Sequence, residues 1–216
     1  MRRRVLVLPV LGGIFLGILA FPATTRQGVD YQMTVHRLPL AGKAAAFLLR
    51  HYEYRRLAAE VTHGFATDEL KAVTLMEWVQ NHIRPIPPGW PVVDDHVLNI
   101  IIRGYGTQDQ MADVFTVLST YAGVPAFWKV VRIQKDQEGV VLSFLKIDGQ
   151  WTIWDAGKGV AFRDETGRLL GVQELIRHFE APDTLRAQKQ MPGGRIRFEF
   201  QRLLKGLSRR FGEVLQ

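Results

Sequence analysis

Residues 104–127, GYGTQDQMADVFTVLSTYAGVPAF, run from a loop carrying two glycines into an amphipathic helix. A helix N-terminus gathers unpaired N–H groups and the positive end of the helix dipole, so it favours a nucleophilic or bound anion. The first turn here offers Gln108, Asp109 and Gln110, and the chain contains no cysteine. Further on, QWTIWD brings Trp151 and Asp155. Asp109 and Asp155 could serve as general base or weak nucleophile, with His96 of VVDDHV as the imidazole. Asp94, Asp95 and His96 form a short acidic-imidazole cluster, but adjacent residues lack helical i, i+4 metal spacing and no second cluster completes four ligands, so no metal or other cofactor is expected. The same side chains also suit binding without chemistry. The amides of Gln108 and Gln110, the carboxylates of Asp109 and Asp155 and the flat face of Trp151 match a peptide or glycan. Trp151 and Trp154 stand three apart in a strand-like run, so at most one of them faces such a cleft.

These residues need elements to hold them. Residues 41–64 are rich in helix formers and end at Gly64. A helix follows from Thr67, a natural N-cap, through Asp68 and Glu69 to Pro85. IPPGWPVVDDHV reads as an irregular loop. The helix over 108–121 carries a stripe of Met111, Phe115, Leu118 and Ala122. After Gly123 the period becomes strand-like: VPAFWKVVRI, GVVLSFLKI, then IDGQWTIWDAG with an Asp-Gly hairpin turn. GVAFRDETGRLLG extends the meander, and VQELIRHF reads as a short helix. Helices first and consecutive antiparallel strands afterwards predict an α+β domain over 41–185, preceded by a linker at 23–40.

Over residues 67–162 this order and its motifs resemble the transglutaminase-like superfamily, relatives of papain-like thiol enzymes. The resemblance rests on Ala72, Trp78, Val79 and Ile83, on the Gly104-x-Gly106 loop entering a helix that ends in Ala122-Gly123-Val124-Pro125-Ala126, and on Asp148-Gly149-Gln150-Trp151 followed by Asp155. It implies a papain-like fold with the nucleophile-position helix packed on an antiparallel sheet, and a Cys-His-Asp triad for acyl transfer. Counting back fifteen residues from Gly123 gives Gln108 at the nucleophile position, and fifteen from Asp155 gives Val140 at the histidine position. Glutamine offers no nucleophilic oxygen or sulfur, and valine cannot move a proton. No histidine lies between His96 and His178. The expectation is a degenerate member with no catalytic residue of the family's kind, serving as a binding or scaffolding protein. The alternative is an amide or glycan hydrolase rebuilt around Asp109 or Asp155.

Charge and hydropathy suggest where it works. Of the formal net charge of +7, three come from Arg2, Arg3 and Arg4, and four from residues 193–216, where six Lys/Arg face Glu199 and Glu213. The body between is neutral, which argues against nucleic acid. An apolar run from Val5 to Phe21 follows the three arginines, so residues 1–22 read as a membrane anchor or signal sequence. The positive-inside rule then sets a single-pass membrane protein with its domain on the extracytoplasmic side, in the cell envelope. Residues 193–216 place Ile196, Phe200, Leu203, Leu207, Phe211 and Val214 at helical spacing among basic residues, which suits a membrane-surface or protein contact.

Overall fold

A computed structural model describes residues 12–13, 15–131, 139–164, 166–172 and 174. The order of its elements is β1 (Pro22–Val29), β2 (Gln32–Pro39), α1 (Leu40–Val61), α2 (Asp68–His82), β3 (Arg84–Pro85), β4 (Val93–Asp94), α3 (Val97–Arg103), β5 (Tyr105–Gly106), α4 (Gln108–Tyr121), β6 (Ala126–Val131), β7 (Val140–Ile147), β8 (Gln150–Asp155) and β9 (Val160–Ala161). This is the expected α+β arrangement, with an antiparallel sheet in the order β6-β7-β8-β9.

Local chemistry explains the main boundaries. The Thr67 side chain accepts from Leu70 N at 3.2 Å and opens α2, with Asp68 and Glu69 in its first turn. The β7–β8 turn is Asp148-Gly149, both at positive φ, joining strands paired from Ile147↔Gln150 to Ser143↔Trp154. On one face of this sheet Leu145, Ile147 and Trp154 join the α4 side chains Met111, Phe115 and Leu118 in the main core, with Leu75 and Val79 of α2. The other face is buried too: Leu142, Phe144 and Ile153 are each 1 % exposed, and Phe162, Leu170 and Val172 are buried nearby in the chain that follows.

Two segments differ from expectation. Residues 23–40, expected as a linker, form the β1–β2 hairpin, paired from Pro22↔Pro39 to Val29↔Gln32. Its two-residue turn is Asp30-Tyr31, both at positive φ, and carries no glycine to announce it. Asp30 accepts from Val92 N at 2.9 Å through its carboxylate and donates its own N–H to Val92 O, anchoring the tip. The expected irregular loop contains β4 and runs into α3, which ends at Gly104 in the left-handed conformation.

Other expectations fall on residues outside those described. The short helix at 172–179 does so beyond residue 174, as does the C-terminal helix at 193–216. The N-terminal apolar run is described only at residues 12–13 and 15–21, of which 12–13 and 15–20 are helical. Among the described residues no helix is long and apolar enough to cross a membrane.

One guanidinium ties the approach to α4 together. Arg103 donates to Asp95 Oδ1 (2.9 Å), Val93 O (2.8 Å), Tyr105 O (3.1 Å) and Gln110 Oε1 (3.0 Å). Gln110 Oε1 also accepts from Thr107 N at 3.2 Å, and its Nε2 donates to Val93 O at 2.6 Å. Gly106 is buried under this network, where an added Cβ would meet Gln110 Oε1 at 2.9 Å and Gln110 Cβ at 3.1 Å. Gln110 is held by three hydrogen bonds and cannot swing aside. Gly106→Ala is therefore expected to cost about 1–3 kcal/mol, the usual range for overpacking. Urea unfolding with unchanged denaturant slope would measure it, and an unaltered midpoint would contradict the packing described.

Candidate functional site

The residues counted onto the triad positions are brought to one end of the sheet by α4, β7 and β8. Gln108 is the first residue of α4 and is exposed. Its Cγ, Cβ and Cδ lie 2.9, 3.2 and 3.3 Å from where a Cβ on Gly157 would stand. Only a residue without a side chain at 157 lets Gln108 lie over the turn that follows Asp155. Gln80 of α2 closes the same turn from another side. Its Nε2 donates to Ala156 O, and its Cγ comes within 3.1 Å of the corresponding point on Gly159.

Asp155 ends β8 and is 7 % exposed. Burial pushes its carboxyl above the usual carboxylate range, opposed by the Lys158 ammonium and by backbone N–H donors of Lys158 and Gly157. Lys158 N donates to Oδ1 at 3.0 Å, and Lys158 Nζ lies 3.6 Å from Oδ2. Val140 begins β7, half-buried, paired with Val131. Extending the Ser143↔Trp154 register by one pair sets Leu142 opposite Asp155, with Val140 two residues along on the same face. The position where the resemblance implies a base thus carries an aliphatic side chain, and the carboxylate has an ammonium for its partner.

The other predicted residues go elsewhere or to structural duty. Asp109 is half-buried and accepts from the Thr107 hydroxyl at the start of the helix. Gln110 is buried, with its amide committed to Thr107, Arg103 and Val93. Trp151 lies near the far end of β8, about 13 Å of strand from Asp155, and meets Phe127 edge-on at 5.0 Å. Trp154 is fully buried against Phe115, so the two tryptophans do part to opposite faces. Asp95 is paired with Arg103, while burial and the cations Arg50 and Lys43 hold His96 below the usual imidazole range against Asp95. Among the described residues no group of three or more His, Asp or Glu is placed to hold a metal.

Sequence reasoning missed Gln80 and Lys158. The spacing Gly157-Lys158-Gly159 directly after Asp155 was the available signal, since two glycines around one cation mark a turn approached closely by other side chains. It also missed the environment of Asp113 on α4. Burial pushes that carboxyl up, Trp128 Nε1 donates to it at 3.1 Å, and the neighbouring Asp109 and Asp94 raise it further.

No family model matches the sequence, and no curated protein does so. Two solved structures are similar. One is described as a candidate cysteine protease from Cytophaga hutchinsonii, with 17% identity, a TM-score of 0.42, and coverage of 55% of this chain and 40% of that one. The other is described as a candidate protease from Parabacteroides distasonis, with 17% identity, a TM-score of 0.39, and coverage of 61% of this chain and 35% of that one. The chain thus matches less than half the length of either structure.

Both raised carboxyls have a signed consequence. A group whose folded pKa exceeds its unfolded one binds its proton more tightly when folded, so stability grows as pH falls from neutrality through the raised value and levels off near the unfolded aspartate value of about 3.9. Asp155→Asn and Asp113→Asn keep an acceptor for Lys158 N and Trp128 Nε1 but cannot ionise. Each is expected to remove one group's gain, so that the change in urea midpoint from neutral to mildly acid pH is less positive than in the wild type. A slope identical to wild type in both variants would contradict the assignment.

Proposed function

We propose that this chain is a membrane-attached binding or scaffolding protein of the cell envelope, built on a transglutaminase-like domain whose nucleophile and base positions are occupied by Gln108 and Val140. The observation that carries this is the seat of Gln108: a side chain without a nucleophilic atom lies at the start of α4, against the turn after Asp155. In the thiol enzymes that the sequence resembles, the helix N-terminus lowers the pKa of a cysteine there. In this chain the same helix end presents an exposed amide, which can donate and accept hydrogen bonds with a peptide or a glycan. Membrane attachment rests on the apolar run from Val5 to Phe21 behind three arginines.

A second reading is favoured by one observation. The upward shift at Asp155 gives a carboxylate that takes up a proton more readily than an exposed one, as a general base requires. Incubating the protein with pooled peptides and glycans separates the two. The binding reading expects retention of ligand without ammonia release or cleavage. Turnover abolished by Asp155→Ala or Asp109→Ala would replace it with the hydrolase.

The proposed ancestry has its own test, made clean by the absence of native cysteine. Gln108→Cys is expected to give a single thiol titrating below the free value of about 8.5, because it sits at a helix N-terminus. Adding Val140→His should lower it further and speed alkylation by iodoacetamide. If the doubly substituted protein titrates like the singly substituted one, position 140 does not serve position 108 and the assignment fails.

A further inference from the structure

The N-terminal third of the chain exposes apolar side chains that the domain does not use. Helix α1 buries Tyr54 and Ala58 and packs Leu57 and Val61 on the core. These positions follow helical spacing and define its inner side. A second stripe, Ala41, Ala45, Leu48 and Tyr52, lies on the opposite side, with Leu48 63% and Tyr52 61% exposed. A helix apolar on two sides is made to be covered twice. The hairpin continues the theme. Its register puts Arg26 beside Val35 and Gly28 between Met33 and Asp94 of β4, so one face carries Met33, Val35, Arg26 and Arg37 with one carboxylate at its edge, all exposed.

Charge selects the occupant. Residues 22–61 hold Arg26, Arg37, Lys43, Arg50, Arg55 and Arg56 against Asp30, Glu53 and Glu60. Arg56 pairs with Glu53 and Glu60 inside α1. Arg26, Arg37, Lys43 and Arg55 make no ion pair among the described residues. Apolar side chains interleaved with unpaired cations and tyrosines are the composition of a surface lying at the headgroup boundary of an anionic bilayer. An anionic lipid surface meets the cations and the apolar side chains together and requires no shaped pocket.

Chain continuity points the same way. Phe15, Leu16, Ile18 and Phe21 are exposed at the end of the N-terminal apolar run. Leu40 N, the first residue of α1, donates to Phe21 O at 2.8 Å, and Lys43 Nζ donates to Thr24 O at 2.7 Å. The start of α1, the base of the hairpin and the end of that run are therefore one junction. We infer that the outer stripe of α1 and the Met33–Val35 face of the hairpin rest on an anionic lipid surface, holding the domain at a fixed attitude to the bilayer. This rests on the membrane attachment proposed above and adds a second, peripheral contact to it.

The cysteine-free chain allows a direct test. Full-length protein carrying Leu48→Cys, Tyr52→Cys or Val35→Cys, with Glu77→Cys on the exposed side of α2 as control, is labelled with an environment-sensitive fluorophore. It is reconstituted from detergent into phosphatidylcholine vesicles with or without phosphatidylglycerol. The expected result is a blue shift and loss of acrylamide quenching at 35, 48 and 52 in the anionic vesicles only, with no change at 77. Arg37→Glu, Lys43→Glu and Arg55→Glu should each reduce the protected fraction's equilibrium constant about fivefold or more, in line with the attraction of one basic residue to such a surface. Protein that floats with vesicles while 48 and 52 stay fully quenched overturns the lipid contact and leaves the anchor standing. Protein that does not float at all overturns the attachment itself. Protection that appears without vesicles and grows with protein concentration assigns the face to a second copy and overturns the inference.

Discussion

The candidate site depends on a single guanidinium. Arg103 and Asp95 have side chains only 14% and 10% exposed, so a charge pair is held where water reaches it poorly. Such a pair persists only if its remaining hydrogen-bond capacity is filled. Here it is filled by the carbonyls of Val93 and Tyr105 and by Gln110, so β4, α3, β5 and α4 are bound to one planar group. The fork geometry of arginine suits this, because its donors are fixed relative to one another and set the positions of everything they touch. Gln110 then leaves no freedom in the first turn of α4, and Gln108, two residues earlier, emerges in one place.

That constraint meets a second one from the opposite direction. The turn after Asp155 is covered by two glutamines from different helices, each over a glycine. Glutamine at these points acts through its length and its amide together. Its methylenes fill space above the backbone, while the head group of Gln80 satisfies Ala156 O, which would otherwise need water. Asp155, just before this turn, is buried, and its proton affinity rises because burial outweighs what Lys158 and the backbone donors supply.

Much of this was legible in the sequence, for particular reasons. Thr67 and Asp148-Gly149 announce their structures because cap and turn chemistry is local, and both formed as expected. The stripe on 108–121 was legible because eight buried residues of α4 recur at helical spacing. The hairpin at 22–39 was not, since Asp30-Tyr31 adopts positive φ without glycine and its support comes from Val92, 62 residues away. Helix α3 was hidden by Ile100, Ile101 and Ile102, β-branched residues that suggest strand until tertiary packing overrides them. Gln80 carries no chemical signature in the middle of a helix. Its role exists only once the fold brings residues 156–159 above it. Trp151 was assigned to the site for its flat aromatic face, and side-chain alternation then separated it from Trp154. Alternation gives the face of a strand and not the distance along it, and Trp151 stands four residues from Asp155.

Burial of both sides of the β7–β8 ladder carries one more implication. Strands with one wet side resist sliding, because a one-residue slip would drown polar groups and expose apolar ones. In VVLSFLKI the odd and even positions are almost equally greasy, so that safeguard is weak. Alignment of the two strands therefore falls to the tight Asp148-Gly149 bend, whose paired left-handed residues accept a single connection length. An inserted residue at that distant bend would shift the strand by one step and turn the terminal carboxylate to the opposite side of the sheet, with no change to any residue that touches it.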